Sequence, residues 1–257
     1  MAGDLDLARE EAAVGNRILA EFGLAAGVRA SLGHTSMRVP GDPEKFVVKG
    51  RGYRIDILSR MRPEDMVVCD LDGNWIDGPP GSLQCSEVKI HSCIYKSRPD
   101  VHSVTHVHPD YTVLMSIFNK TLVPMAQEGV AMVLDPLPVY PRAKVINSDA
   151  EGTEVAGLLG QGKAMLLYGH GAVTVGADVS ESVMGMVLLE HQARLNYMAY
   201  CAGGADHPRM PHDIAQNVLE ARGDLEPHLK ARMDAGGARR RGNALWHYYK
   251  EILSADM

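Results

Sequence analysis

Two hydrophobic periods run through this chain, and the points where one gives way to the other mark its elements. From Leu5 to Phe22 the apolar residues Leu7, Val14, Ile18 and Phe22 follow helical spacing and Gly23 gives a stop, which predicts an opening helix. From Gly33 to Val39 the period is two, so His34, Ser36 and Arg38 share one face of a strand and Thr35 and Met37 the other. Phe46-Val47-Val48 reads as a short strand leading into Lys49-Gly50-Arg51-Gly52, a basic turn punctuated by glycine. Met66 to Leu71 is a buried-type strand that Asp72-Gly73-Asn74 turns back into Trp75-Ile76. Gly78-Pro79-Pro80-Gly81 is a rigid loop, with Ser82 or Ser86 available to cap the helix that follows.

That helix carries Glu87 and His91, four residues apart and therefore on one face, and ends at Arg98-Pro99 because proline disfavours helical geometry in the residue before it. A β-branched strand follows, Ser103 to His108, on which His106 and His108 project side by side while Val107 turns away. Pro109-Asp110 can open a helix through Ile117. Residues Leu122 to Pro141 are expected to hold several short apolar strands between prolines, and a capped helix runs from Ser148-Asp149 to Leu159. Ala164 to Val173 reads as an apolar strand interrupted by His170 between two glycines, where backbone can approach closely. Asp178-x-x-Glu181 has capping-box form and precedes a long helix to about Tyr200, stopped by Gly203-Gly204. The tail from about 205 is expected to be helical; it carries His212, the run Arg239-Arg240-Arg241, read as a solvated or interface face, and Trp246-His247-Tyr248-Tyr249. Repeats and long linkers are missing, so residues 1–257 are expected to form a single domain.

Candidate chemistry enters with the histidines. Two imidazoles on one strand face can bind one divalent ion, since each ring offers a neutral nitrogen, yet a His-x-His pair alone is more often a pair of polar or core residues. His170 offers a third ligand. The polar face of His34, Ser36 and Arg38 is open to the same two readings, solvated or functional. The set Gly33-His34-x-Ser36-x-Arg38, Ser86-Glu87, His91, Ile94-Tyr95, Arg98-Pro99-Asp100-Val101, His106-x-His108 and Leu167-x-x-His170-Gly171 resembles the class II aldolase/adducin family, from about Asn16 to about Tyr200.

The resemblance implies an α/β fold of three layers, with a mainly antiparallel sheet between helices. It implies that His106, His108 and His170 hold one divalent metal ion per subunit, Zn²⁺ or Mn²⁺ with Fe or Co as alternatives, and that Glu87 is the catalytic acid/base. It places His34, Ser36, Arg38 and Ser86 at the substrate and implies a homotetramer with sites at subunit interfaces, to which His91 and His212 are secondary candidates. One departure is informative. Sugar-phosphate members carry a hydroxyl-rich loop where this chain has Lys49-Gly50-Arg51-Gly52, and an asparagine where it has His34. The basic turn either is solvated or grips an anion, and a guanidinium fork fits a carboxylate as well as a phosphate. The combination looks more like the decarboxylase branch, which acts on cyclic or aromatic hydroxy acids. A class II aldolase or epimerase on a small sugar phosphate is the alternative, and a non-catalytic adducin-like module ranks below both because the ligand histidines are kept.

Composition narrows the partners. A net charge of −6 and a pI near 6.0 argue against nucleic acid or an anionic membrane and leave a small anionic substrate. No apolar run approaches the ~20 residues that span a bilayer. The cysteines at 69, 85, 93 and 201 form no Cys-x-x-Cys pair and read as reduced thiols, which with an acidic amino terminus points to the cytoplasm.

Overall fold

The computed structural model describes residues 3–118, 121–221, 244–255 and 257, and is organised around one sheet. Its strands are β1 (His34–Val39), β2 (Asp42–Arg51), β3 (Met66–Asp70), β4 (Trp75–Asp77), β5 (Leu83–Gln84), β6 (Ser103–Val107), β7 (Val139–Tyr140), β8 (Ala164–Leu167) and β9 (Gly171–Gly176). They lie in the order β4-β3-β2-β1-β6-β9-β8-β7, with β5 paired to the end of β2. Every pairing is antiparallel except β7 with β8. The helices are α1 (Asp4–Glu21), α2 (Val88–Ser97), α3 (Asp110–Ile117), α4 (Val130–Val133), α5 (Asp149–Leu159), α6 (Val179–Gly203), α7 (His212–Ala221) and α8 (Ala244–Ser254). The expected three-layer arrangement is present.

Alternation along the central strands divides the core. Val104, Val173 and Val175 pack with Ile90, Ile94, Val155 and Leu159 of α2 and α5, whereas Val107 and Ala172 pack with Val14 and Ile18 of α1 and Val179 and Val183 of α6. The second interface is tight at Gly15, where a Cβ would stand 2.7 Å from Thr35 Cγ2 and 2.8 Å from Val179 Cγ1. Polar strand residues on that side pair with one another and with Ser182 of α6: Thr35 Oγ1 meets Thr105 Oγ1 at 2.6 Å, and Ser182 Oγ meets Ser103 Oγ at 2.7 Å and Thr105 Oγ1 at 3.0 Å. Among the described residues no helix is long and apolar enough to cross a membrane.

Several expectations are corrected. Lys49 and Gly50 continue β2 instead of turning, because Gly50 makes room for the Tyr53 hydroxyl, which donates to Asp65 O at 2.6 Å. The segment expected as short strands between 122 and 141 is an irregular stretch with the four-residue α4 and the two-residue β7. Its backbone groups are met by amide side chains of α6: Asn196 pairs with Val123, and Gln192 accepts from Met125 N and donates to Ala126 O and Glu128 O. The apolar stretch around His170 is a hairpin of β8 and β9, turned at Gly169 with φ 59°. Neither Ser82 nor Ser86 caps α2; Glu87 occupies that position without a side-chain cap bond. The arginines at 239–241 lie outside the described residues.

Candidate metal centre and active site

β6 lies mid-sheet between β1 and β9, and its pleat sends His106 to the α2 side, where His34 stands directly opposite on β1 and Val173 on β9. Nδ1 of His106 is 2.9 Å from the carbonyl of Ala172; a carbonyl only accepts, so this nitrogen donates and Nε2 is left as a bare acceptor. His108 follows the strand on the same side, its Nε2 3.0 Å from His106 Nε2. The β8–β9 turn delivers His170 because Gly171 lacks a Cβ, which would collide with the carbonyl of Val107. Glu87 closes the group from the first residue before α2, with Oε2 3.2 Å from His106 Nε2 and Oε1 3.4 Å from His170 Nε2. The Ile146 amide donates to Oε1 at 3.0 Å and fixes the carboxylate. One ligand atom from each of the four residues lies within 4.8 Å of all the others.

Three imidazole nitrogens and a carboxylate oxygen converging on one point fit a divalent cation. A second observation agrees: the Nδ1 of His106 donates to the Ala172 carbonyl, the outer hydrogen bond that orients a ligating ring and leaves its Nε2 for an ion. Burial by itself would raise the Glu87 carboxyl, but His106 and His170 outweigh it and hold the group well below the usual carboxylate range. Burial and the neighbouring His106 and His170 push His108 down to about 3, so its ring is neutral.

Behind the four runs a buried polar chain. His34 Nδ1 meets His91 Nε2 at 2.6 Å, His91 Nδ1 meets Ser36 Oγ at 2.6 Å, and Ser36 Oγ meets the Tyr95 hydroxyl at 2.7 Å. Burial first, then His91 and His106, hold His34 well below its ordinary range, and burial holds His91 at about 3. The His34 and His106 rings are 5.3 Å apart between centroids, so this chain abuts the candidate metal centre.

Residues 10–197 match the family described as Class II Aldolase and Adducin N-terminal domain. The chain belongs to that family. A 3,4-dihydroxyphthalate decarboxylase of Terrabacter sp. (strain DBF63) is 29% identical over 223 residues, which cover 84% of this chain and 90% of that one. Among solved structures, an L-fuculose 1-phosphate aldolase from Glaciozyma antarctica PI12 superposes with a TM-score of 0.72 at 25% identity, covering 84% of this chain and 81% of that one. An aldolase II superfamily protein from Pseudomonas syringae reaches a TM-score of 0.75 over 94% of this chain and 96% of its own, at 23% identity. The motif resemblance and the three-layer fold are thereby shown.

The expected site residues divide within the family fold. His106, His108, His170 and Glu87 come together, although Glu87 does so from before the helix and not from its face. His34, Ser36 and His91 join the adjoining buried chain. Arg38 shares their strand face but is tied down elsewhere. It donates to the carbonyls of Val101 (3.2 Å), Pro43 (2.6 Å), Tyr95 (2.8 Å) and Arg98 (3.4 Å), and its guanidinium carbon lies 4.7 Å from the centroid of the Tyr95 ring. Those bonds commit the guanidinium to the backbone at the end of α2 and at Pro43 of β2. Lys49 is buried in β2 and ion-paired with Asp56. Arg51 and Ser86 are exposed and line a cavity of about 580 Å³ with Asp72, Asn147 and Lys89. His212 is exposed at the start of α7, beside Leu122, Pro124 and Val133, and the fold does not bring it to the histidines of its own chain. Sequence reading missed the Ile146 amide as the anchor of Glu87, and a backbone N–H leaves no signal in residue type.

Proposed function

We propose that this chain is a divalent-metal-dependent carboxy-lyase that releases CO₂ from a hydroxylated cyclic or aromatic carboxylic acid, with one Zn²⁺ or Mn²⁺ per subunit held by His106, His108 and His170. The observation that carries the reading is the convergence of those three imidazoles and Glu87, with His34 and Lys49 alongside. A cation bound there supplies a Lewis acid that stabilises negative charge appearing on a substrate oxygen.

The protein groups divide the remaining work. Glu87 is ionised at the outset, so it first accepts a proton, which a substrate hydroxyl can provide; it then carries that proton on a carboxyl oxygen and can return it to the carbon that has lost CO₂. The Ile146 N–H keeps Oε1 from rotating away, leaving Oε2 for the exchange. Arg51 supplies positive charge for a carboxylate at the exposed edge, where Ser86 adds a hydroxyl donor, while Lys49 behind it stays paired with Asp56. The decarboxylase relative supports a hydroxylated aromatic dicarboxylate as the substrate class.

We place the protein in the cytoplasm as a homotetramer with sites at subunit boundaries. Four free cysteines suit a reducing compartment, and the exposed Phe118 stacked against Tyr200 at 5.4 Å suits a subunit contact. The test is CO₂ release from hydroxylated aromatic and pyridine dicarboxylates by metal-replete enzyme, run beside cleavage of sugar phosphates, with His106→Ala as control. CO₂ release that disappears in the variant supports the reading. Turnover confined to phosphorylated sugars makes the aldolase alternative correct and turns Lys49 and Arg51 into phosphate ligands.

A further inference from the structure

One strand away from His106, on the same face of the sheet, a second set of ligand-type atoms converges. His34 Nδ1 and His91 Nε2 are 2.6 Å apart, and a ligand atom of each lies within 4.8 Å of the Cys85 sulfur. All three residues are buried, His91 completely and His34 and Cys85 to 5% exposure. We propose that His34, His91 and Cys85 form a second cation site, separate from the Glu87, His106, His108 and His170 centre, which takes a thiophilic divalent ion such as Zn²⁺ or Co²⁺.

The arrangement of each group supports this. His91 is oriented by an outer hydrogen bond between Nδ1 and Ser36 Oγ, which is itself within 2.7 Å of the Tyr95 hydroxyl; such support is what fixes the ring of a ligating histidine and leaves its other nitrogen free. Burial, and after it Cys69, holds the Cys85 thiol well above its ordinary range, with Lys49 and the Glu87 amide opposing only in part, so the sulfur stays protonated until a cation displaces the proton. Lys49 is itself neutralised by Asp56, so it adds little repulsion toward a cation. A purely structural hydrogen bond accounts for the contact between the two rings. It does not account for a buried thiol placed against both of them, and an N₂S donor set is one that borderline and soft divalent ions prefer.

The proton balance is simple. Binding expels the Cys85 proton to solvent as the S–metal bond forms, and the single N–H of neutral His34 resides on the ring nitrogen turned away from the ion. One proton leaves per cation bound. The two centres are neighbours, because Cys85 and Glu87 are two residues apart on one segment and His34 and His106 are cross-strand partners. If the proposed function holds, a substrate with two acid groups could engage both; the cation site itself does not depend on that reading.

The test is titration of the metal-free full-length chain with Co²⁺, followed by absorption and by metal content after desalting. The expected result is two equivalents per chain and a thiolate-to-cobalt charge-transfer absorption in the near ultraviolet. Cys85→Ser should bind one equivalent and lack that absorption, while His106→Ala should keep it. A single equivalent in the unaltered protein with no charge-transfer absorption overturns the proposal, and so does an absorption that survives Cys85→Ser. Loss of the absorption in His106→Ala overturns the separation of the two sites. The unaltered protein decides the first point even if a variant fails to fold, and the spectrum is read independently of any CO₂ assay.

Discussion

Arg38→Met separates the two roles an arginine beside an active site can have. The side chain sits in β1 at 5% exposure, and its three best hydrogen bonds reach the carbonyls of Pro43 at 2.6 Å, Tyr95 at 2.8 Å and Val101 at 3.2 Å. Methionine roughly conserves volume, so the loss is chiefly polar. Three buried carbonyls lose a charged donor at ~1.5 kcal/mol each after partial rescue by water, so the total is on the order of 4 kcal/mol. Tyr95 and Arg98 lie at the end of α2, so the variant also forfeits a cation at a helix C-terminus, worth about 0.5 kcal/mol. For a chain of this length ~4 kcal/mol corresponds to a fall in Tm of roughly 8–16 °C. Arg38→Lys should recover only part of it, because an ammonium cannot span carbonyls held in a fork. The assay is thermal unfolding by circular dichroism alongside steady-state kinetics on the active substrate. A Tm within about 2 °C of the parent, combined with a KM raised tenfold or more, would refute the structural account and return Arg38 to the substrate.

Three further outcomes are expected. Gly171→Ala should lower metal affinity by roughly 10–100-fold in a chelator-competition assay, because the added methyl meets the Val107 carbonyl and separates His170 from His106 and His108; unchanged affinity would show that β9 shifts without moving the ligand. Glu87→Gln should retain a bound metal through the three histidines yet turn over at least 100-fold more slowly, and normal turnover with unchanged metal content would sink the proton-transfer role. Glu190 accepts from the Tyr111 and Thr112 amides in a cavity it shares with Arg29, Asp110, Glu128, His191 and Arg194, and burial raises its carboxyl from 4.5 to about 7. A carboxyl raised in the folded state contributes stability that is full below pH 4.5 and lost as pH climbs to about 7, so Glu190→Gln should gain on the parent across that window by up to ~3 kcal/mol, and parallel Tm–pH curves for the two would contradict it.

Legibility in the sequence followed the range of the forces involved. The period of two in β1 and β6 settled which residues share a face, and the structure keeps His34, Ser36 and Arg38 on one side with Met37 on the other, packed with the residues of α1 and α6. Helix stops at Gly203-Gly204 and Arg98-Pro99 are local chemistry and were readable. Glu87 was placed one step wrong because its carboxylate satisfies the Ile146 amide and two imidazoles from elsewhere in the chain, and those partners hold it just outside the helix. Lys49-Gly50 looked like a turn because glycine usually marks one; here the glycine admits a tyrosine ring. The segment from 122 to 138 escapes a hydrophobic reading altogether, since its backbone is satisfied by Gln192 and Asn196 about 70 residues away.

The polar face of β1 shows why burial and function were hard to tell apart. A sheet covered by helices on both faces leaves no solvated side for its central strands, so every polar residue there needs a partner. Arg38 finds helix carbonyls, Ser36 finds His91 and Tyr95, and His34 finds His91, which leaves the His34 ring against His106. The same requirement that satisfies the core therefore builds the wall of the candidate metal centre. A slip of one residue between β1 and β6 would turn His34 toward α6 and Thr35 toward Glu87, unpairing the hydroxyls of Thr35, Thr105 and Ser182 at the same time. The register of the central strands is thus fixed from both faces, by hydroxyl pairs under α6 and by imidazoles under α2. The site inherits that rigidity: two of its histidines come from β6 and the residue after it, and a third from the turn into β9.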